Sequence, residues 1–258
     1  MIFYFSATGN SYHVAKRLSQ SLEEPMISIA ECMKTGRLEF SIWEGERLGF
    51  VVPTYYLNLP IIVEDFIKSA KFHVKKDTYA FFVSTYGGNS GQLGTAAEKL
   101  LKPQGIEFSS IYTVKMPDSW TVKYDCSDKE ALMPIVKAAE PRISEIIQEI
   151  QEGYYGIDTF DEGSVLTTHV YYVNYRKMNL TSHFRVDNFS CNGCGLCEEK
   201  CPDGIIKLVN DRPRFQKKHC TMCLACLHMC PKFAIQYEDL TKDHGQYIHP
   251  NVRIADLG

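Results

Sequence analysis

Ile2-Phe3-Tyr4-Phe5-Ser6-Ala7-Thr8-Gly9-Asn10-Ser11 begins as an apolar run and ends in small and hydroxyl-bearing residues. The apolar part reads as a buried strand, and Val14, Ala15, Leu18 and Leu22 then recur at helical spacing. A strand that turns straight into a helix presents free backbone N–H groups and the positive end of the helix dipole at one point, which suits an anion. The hydroxyls of Ser6, Thr8 and Ser11 can each donate a hydrogen bond to the same anion. No lysine follows the loop and the three-glycine spacing is absent, so it is neither a nucleoside-triphosphate P-loop nor a dinucleotide fingerprint. On its own the segment also reads as a helix N-cap with spare hydroxyls.

Downstream, the same alternation repeats. Met26 to Ile29, Arg47 to Pro53, Thr78 to Ser84 and Phe108 to Lys115 read as further strands, five in all with Ile2 to Ser6. Between them Ile62, Phe66 and Ile67, then Ala96, Leu100 and Leu101, then Ile143, Ile146, Ile147 and Ile150 recur at helical spacing. Strands alternating with helices predict right-handed crossovers and a five-stranded, doubly wound parallel sheet. The α/β domain is expected over residues 1–152. Residues 153–187, with a strand-like run from Val165 to Tyr175, read as a structured connector.

Eight of the ten cysteines lie between Cys191 and Cys230. They form Cys191-x2-Cys194-x2-Cys197-x3-Cys201-Pro202 and, repeated, Cys220-x2-Cys223-x2-Cys226-x3-Cys230-Pro231. Structural zinc sites use paired cysteines separated by a longer finger and are the alternative here, whereas three cysteines at this spacing wrap three corners of one iron-sulfur cubane. A second domain is expected over residues 188–238, with a tail over residues 239–258. Ile205, Ile206, Phe215, Phe233, Ala234 and Ile235 supply too small an apolar shell to hold it unaided, so its clusters are expected to be structural as well. Cys32 and Cys126 have no neighbouring cysteine.

A length of 258 residues accommodates two domains, and 45% hydrophobic with 23% charged residues predicts a folded chain. A formal charge of −3 argues against a nucleic-acid partner. No export signal and no membrane-length apolar run is read in the sequence, so the expectation is a cytoplasmic chain with no membrane partner. In that compartment thiols stay reduced, which turns the cysteines towards metal.

Ser6-x-Thr8-Gly9-x-Ser11 after a first strand resembles the phosphate loop of flavodoxins. Pro53-Thr54-Tyr55-Tyr56-Leu57-Asn58-Leu59-Pro60 and Ser84-Thr85-Tyr86-Gly87-Gly88-Asn89 fall where that family places its flavin loops, and Met116 to Asp125, with Trp120, would form a third. The resemblance implies FMN held by Ser6, Thr8, Gly9, Asn10, Ser11, Pro53, Thr54, Tyr55, Tyr56, Asn58, Thr85, Tyr86, Gly87, Gly88 and Trp120. The glycine, asparagine and aspartate pattern of many stand-alone flavodoxins is absent from the Pro53 loop. Val186 to Glu238 resembles bacterial-type two-cluster ferredoxins, a small α+β fold in which the fourth cysteine ligates the other cluster. That implies one [4Fe-4S] cluster on Cys191, Cys194, Cys197 and Cys230, and a second on Cys220, Cys223, Cys226 and Cys201.

The order of parts, including the tail from His244 to Val252, is similar to the fused flavodoxin-ferredoxin proteins of anaerobes. What the similarity implies is electron transfer between two clusters and FMN, linking one-electron and two-electron carriers, with redox proteins as partners and the oligomeric state left open. Two rivals stand beside it. One is an FMN-dependent reductase of a small organic substrate, for which His13 and His73 read as packing or surface residues and supply no acid or base. The other is a redox sensor or scaffold without FMN, against which the phosphate loop argues.

Overall fold

In the computed structural model, which describes residues 1–158 and 165–258, the chain folds in the order β1 (Ile2–Tyr4), α1 (Asn10–Leu22), β2 (Met26–Ser28), α2 (Ile29–Thr35), β3 (Glu39–Ser41), β4 (Leu48–Pro53), α3 (Ile61–Ser69), β5 (Lys71–His73), β6 (Ala80–Tyr86), α4 (Leu93–Leu101), β7 (Ser110–Lys115), α5 (Lys129–Gln151) and β8 (Gly156–Ile157). Then come α6 (Val165–Met178), β9 (Phe184–Val186), α7 (Leu196–Glu199), β10 (Ile206–Val209), β11 (Arg212–Phe215), α8 (Ala225–His228) and β12 (Ile235–Tyr237).

Six strands form a parallel sheet in the order β2-β1-β4-β6-β7-β8. The five strands expected from the sequence are its first five, and β8, within residues read as connector, adds an edge. Side chains alternate across the sheet. Ile2, Tyr4, Val51, Phe81 and Val83 pack under α1 and α5, while Phe3, Phe5, Phe50, Val52 and Phe82 pack under α2, α3 and α4. Both faces are therefore covered, which is why the central strands read as continuous apolar runs. Gly49 pairs with Phe81 across β4 and β6, and a Cβ at Gly49 would lie 2.2 Å from the Phe81 ring, so the ring occupies the space of the missing side chain. The order reverses between β1 and β4, and a crevice opens beyond the carboxyl ends of those strands.

The C-terminal region is built on two antiparallel pairs, β9 with β12 and β10 with β11. Asn210 and Asp211, both at positive φ, turn the β10–β11 hairpin. Residues 159–164 of the expected connector lie outside the described residues.

Val165 to Tyr175, expected as a strand, belongs to helix α6. Its β-branched and aromatic content favours strand locally, but Thr168, Tyr172 and Tyr175, spaced four and three, are buried or half-buried, with Val173 half-buried beside them. Only a helix puts Thr168, Tyr172 and Tyr175 on one face. That face docks on both domains: Tyr172 Oη donates to Glu64 Oε2 of α3 at 2.6 Å, and Tyr175 Oη donates to the Thr221 carbonyl in the second cysteine motif at 2.6 Å.

The tail crosses back over the sheet. His249 N–H donates to the Thr8 carbonyl at 2.8 Å, Tyr247 Oη donates to Asn10 Oδ1 at 2.7 Å, and Val252 and Leu257 are buried beside Ala7.

Candidate functional site

The three loops singled out in the sequence meet in one cleft of about 310 Å³ at the crevice, within the size range of small-molecule sites. Ser6, Thr8, Asn10 and Ser11 line it from the loop after β1 and the start of α1, Pro53, Thr54, Tyr55 and Tyr56 from the end of β4, and Thr85, Tyr86, Gly87 and Gly88 from the end of β6. Trp120 joins them from the loop after β7. Two expected residues stand back from the cleft. Gly9 caps α1 at φ +98°, where a Cβ would meet His249 Cβ at 2.9 Å, and Asn58 uses its Oδ1 to accept the Leu59 N–H.

Asn58 is nevertheless needed for the loop's shape. Tyr55 and Asn58 exchange backbone hydrogen bonds around Tyr56 and Leu57, which both sit at positive φ. This left-handed pair costs energy for side chains with a Cβ. It sets the Tyr56 ring parallel to Tyr175, with centroids 5.2 Å apart, and edge-on to Trp120 at 5.5 Å. Burial holds the Tyr55 and Tyr56 hydroxyls well above the usual phenol range, so both stay protonated and present neutral faces.

The anion end is already knitted together. Ser6 Oγ accepts the Gly9 N–H at 3.1 Å, Thr8 Oγ1 donates to Ser119 Oγ at 3.2 Å, and Ser11 and Thr85 hydroxyls bond at 2.7 Å. Asn10 Nδ2 reaches the Pro117 carbonyl at 3.0 Å. The hydroxyls of Thr8 and Ser11, expected to donate to an anion, thus bond within the protein, while Ser6 Oγ accepts and keeps its own proton to donate. Asp118, missed in the sequence, also lines the cleft. Its Oδ1 accepts the Trp120 N–H at 2.9 Å, and burial raises its carboxyl above the ordinary aspartate range.

None of the ten cysteines is in a disulfide. Cys191, Cys194, Cys197 and Cys230 line one small cavity, so the fold brings a cysteine of the second motif beside three of the first. Burial pushes the Cys220 thiol up to about 12 and holds Cys223 and Cys226 well above the usual range. The neighbours adding to the Cys226 shift include Cys223, Cys201 and Cys220. A bound cation would stabilise thiolates there, and an all-sulfur donor set fits iron-sulfur clusters as well as zinc. Backbone N–H groups of Met222 and Ala234 approach Cys220 Sγ and Cys230 Sγ, the first and last cysteines of the second motif, each at 3.3 Å.

The cleft and the second motif share a wall: Met222, Cys223 and Leu224 line the same cavity as Tyr55, Thr85 and Trp120. Tyr171 of α6 lines it too. Neither contact has a local signal, because both depend on how the two regions dock. Behind the wall, burial lowers the His228 imidazole to about 4; its Nε2 donates to the Ser119 carbonyl at 2.8 Å and its Nδ1 accepts the Tyr247 N–H at 3.0 Å. His13 and His249 stack at 4.2 Å away from the cleft lining, with His13 bonded to Glu140, and His73 is an exposed partner of Glu39.

A flavodoxin domain family matches residues 1–142, and a 4Fe-4S dicluster domain family matches residues 186–235. One component of the ion-translocating oxidoreductase complex of Methanosarcina acetivorans is 39% identical over 46 residues, 18% of this chain and 17% of that protein. An uncharacterized protein of Methanocaldococcus jannaschii is 34% identical over 59 residues, 23% of this chain and 22% of its own. The chain therefore spans under a quarter of the length of these curated relatives. Among solved structures, the Trp repressor binding protein of Bacillus subtilis aligns over 45% of this chain and 82% of its own, at 15% identity and a TM-score of 0.31. A flavodiiron core from Synechocystis aligns over 58% and 36%, at 18% identity and a TM-score of 0.32.

Proposed function

The chain belongs to the flavodoxin domain family through residues 1–142 and carries a 4Fe-4S dicluster domain behind it, and from that premise of an iron-sulfur flavoprotein in electron transfer we propose that it passes electrons between two [4Fe-4S] clusters and one FMN. The observation that carries this reading is the shared wall, where Cys223 of the second motif lines the cleft of the flavodoxin loops. FMN, when bound, exchanges one or two electrons and each cluster one, so the pair links one-electron and two-electron carriers.

The chain's own residues would divide the work. The backbone from Ser6 to Ser11, at the start of α1, binds the phosphate. Tyr55, Tyr56, Tyr86 and Trp120 supply ring faces, and Pro53, Thr54, Asn58, Thr85, Gly87 and Gly88 shape the edges. Cys191, Cys194, Cys197 and Cys230 hold the first cluster, and Cys220, Cys223, Cys226 and Cys201 the second. The boundaries that go with this division are 1–152, 153–187, 188–238 and 239–258. Cys194 is exposed, which makes the first cluster the port for a redox protein. Among the described residues no helix is long and apolar enough to cross a membrane.

Anaerobically purified protein, analysed for flavin, iron and sulfide, should contain one FMN and two [4Fe-4S] clusters per chain. Zinc in place of iron, with no flavin retained after FMN is added, would overturn the proposal.

A further inference from the structure

The two cysteine motifs place their backbone in the left-handed region at three corresponding positions. In the first motif all three are glycine: Gly193 at φ +69°, Gly195 at +80° and Gly204 at +59°. In the second they are Met222 at +55°, Leu224 at +57° and Phe233 at +47°. Glycine adopts this conformation freely, and a residue with a Cβ does so at a cost. Sulfur ligation does not demand these side chains, since the first motif has the same spacing without them.

The surroundings differ between the motifs. A Cβ at Gly195, the counterpart of Leu224, would meet only Leu208 Cδ1 at 3.7 Å and one at Gly204 nothing within 4 Å, while one at Gly193, the counterpart of Met222, would lie 2.9 Å from Asp211 Cβ, so that position has no room for a side chain. Met222 and Leu224 are buried, pack in one apolar cluster with Tyr56, Trp120 and Tyr175, and flank Cys223 on the cleft wall. Two of the three large apolar groups in a backbone that favours glycine, Met222 and Leu224, therefore stand where the second motif lines the flavodoxin cleft.

We infer that Met222 and Leu224 form a dry partition across which electrons pass between the second cluster and the flavin, keeping water from that cluster and setting its reduction potential apart from that of the first. The inference rests on the electron-transfer reading above. One electron crosses per event; the cluster is oxidised as the flavin is reduced, or the reverse, and no bond is made or broken. Reduction adds negative charge to a cluster, and water stabilises that charge, so solvent exposure is one of the factors that set the potential.

The test compares full-length, cofactor-loaded protein with Met222→Gly, Leu224→Gly and Leu224→Asn. Glycine suits the backbone, so the fold should persist. Asparagine tolerates the left-handed region and keeps most of the volume while bringing a polar amide. Redox titration followed by electron paramagnetic resonance, with the first cluster's signal assigned through Cys194→Ser, reads both potentials, and the visible spectrum reads flavin content. The expected result in all three variants is a second-cluster potential shifted upward, an unmoved first cluster and a severalfold slower exchange between clusters and flavin. Unchanged potentials, or equal shifts in both clusters, in variants that retain all cofactors overturn the partition and leave the electron-transfer reading standing. Parent protein without clusters or flavin overturns that reading and the inference together.

Discussion

Cys194 in the first motif is exposed, and Phe189 just ahead of that motif projects fully into solvent, whereas the corresponding Cys223 faces the flavodoxin cleft and Cys226 is buried. Identical cysteine spacing thus serves two surroundings. Left-handed backbone costs a side chain roughly 1–2 kcal/mol, while burying a Met or Leu side chain contributes about 1.5–3 kcal/mol. Met222 and Leu224 can therefore be tolerated where a second domain covers them; of their counterparts, Gly195 stands in open surroundings and Gly193 is closely packed by Asp211. The comparison teaches that one cysteine spacing admits different residues at its left-handed positions, according to what surrounds them.

The largest expected effect breaks the comparison at Cys201, which follows the first motif in sequence but adds to the charge felt by Cys220, Cys223 and Cys226. Cys201→Ser should abolish the second cluster, halve the iron content and spare the first cluster's resonance. Loss confined to the first cluster would mean that the halves fold as independent sites.

Next comes the α6 tie to the second motif. Tyr175 Oη donates to the Thr221 carbonyl and accepts the Ile61 N–H at 3.2 Å, so Tyr175→Phe leaves two backbone groups without their partner. Denaturant unfolding should show a loss of about 2 kcal/mol. Unchanged stability would show that α6 contributes little to docking the second motif.

On the flavin side of the same wall, Gly91 lies at φ +61° with a virtual Cβ 2.3 Å from the Leu57 carbonyl oxygen. Gly91→Ala should displace the Tyr55–Asn58 turn and weaken FMN binding about tenfold, equivalent to 1.4 kcal/mol, as read by fluorescence titration. Equal affinity would remove the turn from the binding account.

The smallest effect concerns the tail. Burial lowers His249 from an ordinary value near 6.5 to about 4, with His13 adding to the shift, so the unfolded chain takes up the proton first as pH falls. The stability from the neutral ring is complete above about pH 6.5 and is lost progressively towards pH 4. Between pH 8 and 5.5 the parent should lose about 1 kcal/mol more than His249→Asn. Parallel pH profiles would exclude His249 as the source.

Much of this architecture was legible because it is local. The continuous apolar runs at Leu48–Pro53 and Ala80–Tyr86 follow from burial on both sheet faces, and the cysteine spacing announces its ligands. Val165 to Tyr175 misled because its composition favours strand, while its burial pattern exists only once two domains are docked. Tyr171, Met222 and Leu224 reached the cleft by tertiary packing that leaves no mark in the adjacent sequence, whereas Asp118 sits in the Met116 to Asp125 loop expected there. The tail contacts of Tyr247 and His249 with Asn10 and Thr8 span more than two hundred residues and were invisible for the same reason.

The account's central claim, that the second cluster and the flavin form one internal path, is tested most directly by rapid mixing of the intact, cofactor-loaded chain with a one-electron donor in excess while flavin reduction is followed at several protein concentrations. The predicted result is a first-order phase, following cluster reduction, whose rate is independent of protein concentration. A rate that rises linearly with protein concentration would show transfer between molecules and contradict the claim.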